Sequence, residues 1–273
     1  MNMTNLMKDK KGIIIGVANE RSICWDIAKQ ICRNGARVVL GYTDLTADRV
    51  KKLADDFNEQ NNTTSMTTYK CDVLNDSDIN GFFDFVKSAF GNIDFIVCAP
   101  AFTNKENLKG EYMKISRAEF LQTMDVSVYS LTAICNTFSS ILNDNGSVLT
   151  LSYYGAEKIV QNYNIMGVAK SALEASVRYL ASDLGTRGIR VNSISAGAVK
   201  TLASSAIGGF RDIIKYGENT APLKRNITQD EISKTALFLL SDLSSGITAE
   251  NIHVDCGLNA VGFASIQQEK ADE

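Results

Sequence analysis

Short apolar runs alternate along this chain with longer stretches whose apolar positions recur every three or four residues. Residues 12–18 (GIIIGVA) read as a buried strand. Residues 22–34 repeat Ile23, Ile27, Ile31 and Cys32 at helical spacing, and Gly35 stops that helix. The same logic predicts strands at 37–42, 67–73, 93–98, 147–152, 189–195 and 251–255. It predicts helices at 46–61, 76–90, 116–142, 163–184 and 229–241, with Gly185 and Gly188 closing the fourth of these. Strands that are continuously apolar and alternate with helices imply a parallel sheet covered on both faces. Right-handed crossovers then give a doubly wound, Rossmann-like α/β fold of seven strands. No linker, repeat or composition shift divides residues 1–273, so one dinucleotide-binding domain is expected. Two segments resist the pattern, 99–115 and 200–223. Both follow predicted strands at their carboxyl ends, where ligands bind in such sheets.

Composition narrows the chemistry. The 273 residues carry 28 Lys+Arg against 31 Asp+Glu, a net charge of -3, with no basic block. Nucleic acid is therefore not an expected partner. No apolar run approaches the roughly 18–20 residues that span a bilayer, and the first residues lack a secretory h-region. A cytoplasmic protein with no membrane partner is expected. The six cysteines include no CxxC pair and mostly sit in apolar surroundings, as reduced, buried thiols would. The single histidine, His253, removes most metal sites and Ser-His-Asp chemistry. It reads as a packed strand residue, and no metal is expected.

The first strand runs into Gly16-Val17-Ala18-Asn19-Glu20-Arg21-Ser22-Ile23 and then a helix. A helix N-terminus suits a pyrophosphate. Gly16 and Ala18 allow close backbone approach, and Ser22 can cap the helix or touch phosphate. The full GxGxxG fingerprint is absent, so an ordinary capped turn remains the alternative. At the end of strand two, Asp44 follows Tyr42-Thr43, with no Lys or Arg before Arg49. That charge fits a free ribose 2′-hydroxyl, hence NAD with NADH preferred over NADPH. At the end of strand three, Asp72 can accept from the adenine amino group or serve as a capping residue.

Tyr163 and Lys170 are seven apart, which places them about 20° from alignment on one helix face. A phenol near an ammonium can stabilise a developing oxyanion, and the cation can hold ribose hydroxyls and favour phenolate character. Counting back from Lys170, the position four earlier holds Met166, and thirteen before that stands Tyr153. In the short-chain dehydrogenase/reductase superfamily those two positions usually hold Tyr and Ser. With both replaced, the chain resembles the divergent enoyl-acyl-carrier-protein reductases. The likeness runs from GIIIGVANERSI through LTLSYYGAE and NYNIMGVAKSALEA to RVNSISAGAVKTLA and HVDCG.

The resemblance implies an NADH-dependent reductase that saturates trans-2-enoyl thioesters on acyl carrier protein, in the last step of each fatty acid elongation cycle. It implies Tyr163 as the donor to the thioester carbonyl, Lys170 on the nicotinamide ribose and Tyr153 near the acyl chain. Gly16, Ala18, Ser22 and Ile23 would line the pyrophosphate side, and Thr43, Asp72 and Val73 the adenosine. Gly197, Val199, Thr201 and Ala203 would lie by the nicotinamide end, with Ala99 and Pro100 also on the cofactor. Ala101, Phe102 and Thr103 would face substrate. A homotetramer is implied. The sequence departs from the family at Cys98-Ala99-Pro100-Ala101-Phe102, where a run like His-Ser-Ile-Gly-Phe is usual, and Pro100 lacks a backbone donor. Ala198 stands where Pro is frequent, and Cys256 where Gly is usual. Residues 201–218 read as a lid over an acyl chain. Lys200, Arg211, Lys215, Lys224 and Arg225 form a basic cluster that could steer an acidic carrier. The rival readings are a carbonyl or 3-ketoacyl reductase of the same superfamily, and a non-catalytic NAD-binding module.

Overall fold

A computed structural model describes residues 5–201, 204 and 207–262. Seven parallel strands form one sheet in the order β3-β2-β1-β4-β5-β6-β7. They are β1 (Lys11–Ile15), β2 (Arg37–Tyr42), β3 (Met66–Lys70), β4 (Ile93–Cys98), β5 (Leu142–Ser152), β6 (Arg190–Ala196) and β7 (Asn251–Val254). The helices are α1 (Ile23–Arg33), α2 (Ala47–Gln60), α3 (Asp76–Phe90), α4 (Arg117–Met124), α5 (Ser130–Phe138), α6 (Ile165–Leu184), α7 (Phe210–Thr220) and α8 (Gln229–Leu240).

Alternation along each strand divides the core. Ile14, Val38, Leu40 and Val97 join one apolar cluster with Ile27 and Ile31 of α1 and Ile232 and Leu239 of α8. Ile13, Ile15, Val39 and Ile96 join the opposite one with Phe82 of α3, Ile134 of α5 and Leu173 of α6. Each such fully buried side chain contributes about 1.5–3 kcal/mol relative to exposure. Caps set the helix ends. The Asn75 side chain accepts from Ser77 N at the start of α3, and Gly91 follows its end at φ 70°. Thr228 and Glu231 form a reciprocal capping box at α8.

The predicted helix over 116–142 is three pieces. Between α4 and α5 the chain widens into a π turn at Asp125–Tyr129. The apolar period runs through that turn, so spacing alone cannot reveal it. The helix then stops at Phe138, and Leu142 already pairs with Ile93. Strand β5 therefore begins inside the predicted helix. Strands β1 and β3 end earlier than predicted, at Ile15 and Lys70, which leaves 16–18 and 71–73 as loops at the carboxyl edge.

Strand order reverses direction between β1 and β4, and the crevice outside their carboxyl ends is where ligands bind in such sheets. Ile15 lies in register with Cys98, so Gly16 and Ala99 leave the sheet side by side.

Candidate active site

At that crevice Ala99 N donates to Ile15 O at 3.0 Å. Gly16 has φ 125°, and a Cβ there would meet Ala99 O and Cys24 Sγ, each at 3.0 Å. Only glycine fits both the angle and the gap. Ser22 stands at the N-cap position of α1 but makes no cap bond. Instead its Oγ accepts from Ala18 N at 3.0 Å and Asn19 N at 3.1 Å, closing the loop on itself. The capping role read from sequence is thus replaced by a loop-closing one. The hydroxyl keeps its hydrogen to donate outward. Ile23 opens α1, whose first N–H groups have no partner within the helix.

The adenosine side differs from expectation. Asp44 does not stand alone: Lys70 Nζ lies 2.9 Å from its Oδ2 and 3.5 Å from Asp78 Oδ2. Lys70 pairs in register with Tyr42 on the adjacent strand, a proximity that counting along the chain misses. The charge argument for a free 2′-hydroxyl is correspondingly reduced. Asp72 Oδ1 accepts from Leu74 N at 3.1 Å in a turn, while the cap of α3 is Asn75. The Thr43 N–H donates to Thr46 Oγ1 at 3.1 Å, and Val73 is buried.

Lys170 of α6 is 5% exposed, and its Nζ donates to Leu151 O of β5 at 2.7 Å. Burial pulls its pKa down to about 8, against smaller opposing pulls from Cys24, Glu174 and Cys98. An ammonium has three donors, and Leu151 takes one. Glu174, one turn along α6, accepts from Ser152 Oγ and, at 3.0 Å, from Asn251 Nδ2.

Tyr163 is not on α6, which begins at Ile165. The shared helix face deduced from the seven-residue spacing therefore does not exist. Asn164 intervenes at φ 41°, ψ -119°. Strand β5 does the joining instead. Leu151 holds Lys170, and two residues on Tyr153 packs edge-to-face on Tyr163, with ring centroids 4.9 Å apart. Gly155 makes the contact possible, since a Cβ there would press into the Tyr163 ring. Burial, and then the neighbouring Tyr153, push the Tyr163 pKa well up. That shift favours the protonated phenol, a donor, and runs opposite to the phenolate character anticipated. Tyr153 is shifted up by burial as well.

The segment after β4 is pinned around Pro100. Ala99 N is held by Ile15 O, and Phe102 N donates to Ser127 Oγ at 3.1 Å. The missing donor of Pro100 is thus bracketed by two others. Thr103 Oγ1 accepts from Thr123 Oγ1 at 2.8 Å, while Ala101 and Phe102 are exposed. Ser127 belongs to the π turn and also approaches Met166 Sδ at 3.9 Å. After β6, Gly197 N donates to Val254 O at 2.8 Å, and Val199 packs against the α1 side of the core. Thr201 and Ser204 exchange hydrogen bonds. Ala203 lies outside the described residues. Cys256 adopts φ 59°, which accounts for the family's glycine there.

Several expectations on charge and thiols meet their partners here. Arg225 is committed to Glu231, at 3.0 and 2.7 Å, so it adds little to the basic cluster. That guanidinium, helped by Thr228, draws the Glu231 pKa down to about 2. His253 lies on β7 as expected and pairs with Glu157 at 2.6 Å. All six cysteines are free, and burial lifts the Cys24 thiol to about 12. Sequence reasoning missed Ser127, Glu174, Asn162 and Asn164. The two asparagines flanking Tyr163 were a visible signal, since Asn favours positive φ.

A glycine-turned β1–α1 connection at the switch point of a 3-2-1-4-5-6-7 parallel sheet defines a Rossmann-like dinucleotide-binding fold. Comparison with known proteins takes this further. Residues 16–259 match the family model described as "Enoyl-(Acyl carrier protein) reductase", and the chain belongs to that family. It is 50% identical over 264 residues to "Enoyl-[acyl-carrier-protein] reductase [NADH] 1" of Rhizobium meliloti (strain 1021), covering 96% of this chain and 95% of that one. A solved reductase from Anaplasma phagocytophilum, in complex with NAD, superposes with TM-score 0.90 at 47% identity, covering 96% and 98% of the two chains. The Bacillus cereus reductase solved with NADP+ and indole naphthyridinone gives TM-score 0.91 at 43% identity, covering 95% of this chain and all (100%) of that one.

Proposed function

We propose that this chain reduces the carbon–carbon double bond of trans-2-enoyl thioesters borne by acyl carrier protein, with NADH as donor. The residues present fit a dinucleotide. Gly16 opens a cradle that a Cβ would fill, the N-terminus of α1 lies beside it, and the buried Lys170 Nζ is held by Leu151 O of β5. When bound, the nicotinamide supplies the hydride. Lys170 contributes its remaining donors to ribose hydroxyls and a positive field. The protonated Tyr163 donates to the thioester oxygen, where negative charge develops as the β-carbon is reduced; the α-carbon is protonated afterwards. Tyr153 packs against Tyr163 and lines the acyl side, with Ala101, Phe102 and Thr103 opposite. Pyrophosphate contacts fall to Gly16, Ala18, Ser22 and Ile23, and adenosine contacts to Thr43, Asp72 and Val73. Ala99, Pro100, Gly197, Val199 and Thr201 complete the cofactor side.

The observation that carries this reading is Met166. It occupies the position from which a ketoreductase would protonate a carbonyl, and it is 7% exposed and bears no acidic proton. The buried donor is Tyr163 instead. NADH oxidation with crotonyl thioester, but not with acetoacetyl thioester, is the expected result. Turnover of the second alone would make it a ketoreductase, and tight NAD binding with neither would make it a non-catalytic module. Running both cofactors side by side tests NADH over NADPH.

The same reading makes residues 1–273 one reductase domain, with 201–218 as its substrate lid. Exposed Arg211 and Lys215 of α7 are the docking charges for the acidic carrier; reversing both should raise KM for carrier-linked substrate and spare the short thioester. The assembly is taken as a homotetramer on the resemblance to the family alone, and light scattering tests it. Among the described residues no helix is long and apolar enough to cross a membrane. Six free thiols, five of them buried, support a cytoplasmic setting.

A further inference from the structure

Tyr163 is the middle residue of Asn162-Tyr163-Asn164, and both neighbours have positive φ, 62° and 41°. Few side chains tolerate that region, and asparagine is one of them. Two reversals in three residues fix the course of the chain on either side of the tyrosine. Each asparagine also spends its side-chain amide on a different segment. Asn162 Nδ2 donates to Gly208 O at 2.9 Å. Asn164 Nδ2 donates to Asn107 O at 3.2 Å and Gly110 O at 3.3 Å. The same two segments deliver Ile207 and Leu108 to one small apolar cluster that holds Tyr163 and Met166. That cluster is separate from the two larger cores, and from the sheet only Tyr153, just past β5, is packed against it.

We infer that Asn162 and Asn164 are positioning residues, two clasps that fasten the 207–209 and 105–110 segments to opposite sides of Tyr163. The inference rests on Tyr163 being the proposed oxyanion donor. Through Asn162 the state of the 207–209 segment is transmitted to the phenol; through Asn164 the segment after β4 is. Neither asparagine needs to touch substrate.

Glycine at either position keeps the positive φ and deletes the amide, so Asn162→Gly and Asn164→Gly separate the clasp from the backbone shape. With NADH and crotonyl thioester, each is expected to lower kcat about tenfold and leave KM for NADH within about twofold, as a small misplacement of a catalytic group does. Amide hydrogen exchange should rise at 207–209 in Asn162→Gly alone, and at 108–110 in Asn164→Gly alone. Asn162→Ala and Asn164→Ala, strained as well as unclasped, should fall further. If a glycine variant loses its cooperative melt, Asn162→Asp and Asn164→Asp carry the same expectations, since they tolerate the φ and replace the donor by an acceptor. Exchange unchanged at a variant's own segment overturns the inference, as does wild-type kcat in both glycine variants. A wild-type chain that reduces no enoyl thioester would remove the functional reading alone, and the exchange pattern would still decide whether the clasps exist.

Discussion

From β1 to β4 the chain is built of regular units, whereas after β4 it interrupts itself. The first half folds as three strand–helix repeats whose apolar periods match their structure, and its ligand crevice follows from where β1 and β4 end. The second half carries the proposed chemistry on irregular backbone. A π turn supplies Ser127, a loop with two positive-φ asparagines carries Tyr163, and only Lys170 sits on a regular helix. The difference has a physical basis. A cofactor cradle needs backbone brought close, and a sheet edge provides that at no extra cost. A catalytic donor must be aimed in a water-poor place, and aiming uses backbone conformations that helices and strands do not offer.

The contrast can be broken most sharply at the donor. Tyr163→Phe should cut kcat about 10²–10³-fold, the usual loss for an oxyanion donor, while NADH affinity measured by fluorescence titration stays near wild type. Equal losses in both would mean that the two halves are not functionally distinct.

Lys170 belongs to both halves, and activity and stability should respond to it with opposite signs. Its folded pKa, about 8, lies below the unfolded value of 10.5. At this site the unfolded chain therefore binds more protons between those limits, so Lys170 by itself adds stability to the cofactor-free protein as pH rises from about 8 toward 10.5, against buried thiols such as Cys24, raised to about 12, which remove stability above about 9. Activity that needs the ammonium falls as pH rises through about 8. Lys170→Met should melt no lower than wild type at neutral pH, since a buried charge is exchanged for an apolar side chain, lose ground to wild type as pH rises from about 8 toward 10.5, and lose most cofactor affinity. A melting curve over pH and an NADH titration check each part.

Gly16→Ala addresses the cradle alone. With φ 125° and Ala99 O at 3.0 Å from the new Cβ, the expected cost is about 1–3 kcal/mol of strain, read as weaker NADH binding with kcat at saturation retained. The smallest effect is expected at Thr228→Ala, which removes the capping box of α8 at about 1 kcal/mol. A chemical denaturation curve should show it, and kinetics should not.

Much of this was legible in advance. The element order, the parallel sheet, the small residues at 16 and 18, and the buried thiols all follow from local periodicity and residue type. The tyrosine and lysine were found as types at a spacing, but the helix that was to align them starts two residues late, because Asn164 breaks it. Spacing arguments assume unbroken helix geometry, and a single residue at φ 41° voids them. The 116–142 helix failed for the same reason in reverse, since a π turn preserves the apolar period while changing the residue count.

What the amino-acid order settled unaided was the architecture and the inventory of reactive groups, because i-to-i+4 patterns and β-alternation are properties of neighbours along the chain. What only the folded molecule decided was who meets whom at the sheet edge: Lys70 on Asp44, Leu151 under Lys170, Tyr153 against Tyr163, and the two asparagine amides on segments 46 and 54–57 residues away. Those meetings depend on strand register and loop path. Both are set by packing across the whole sheet and leave no mark in local sequence.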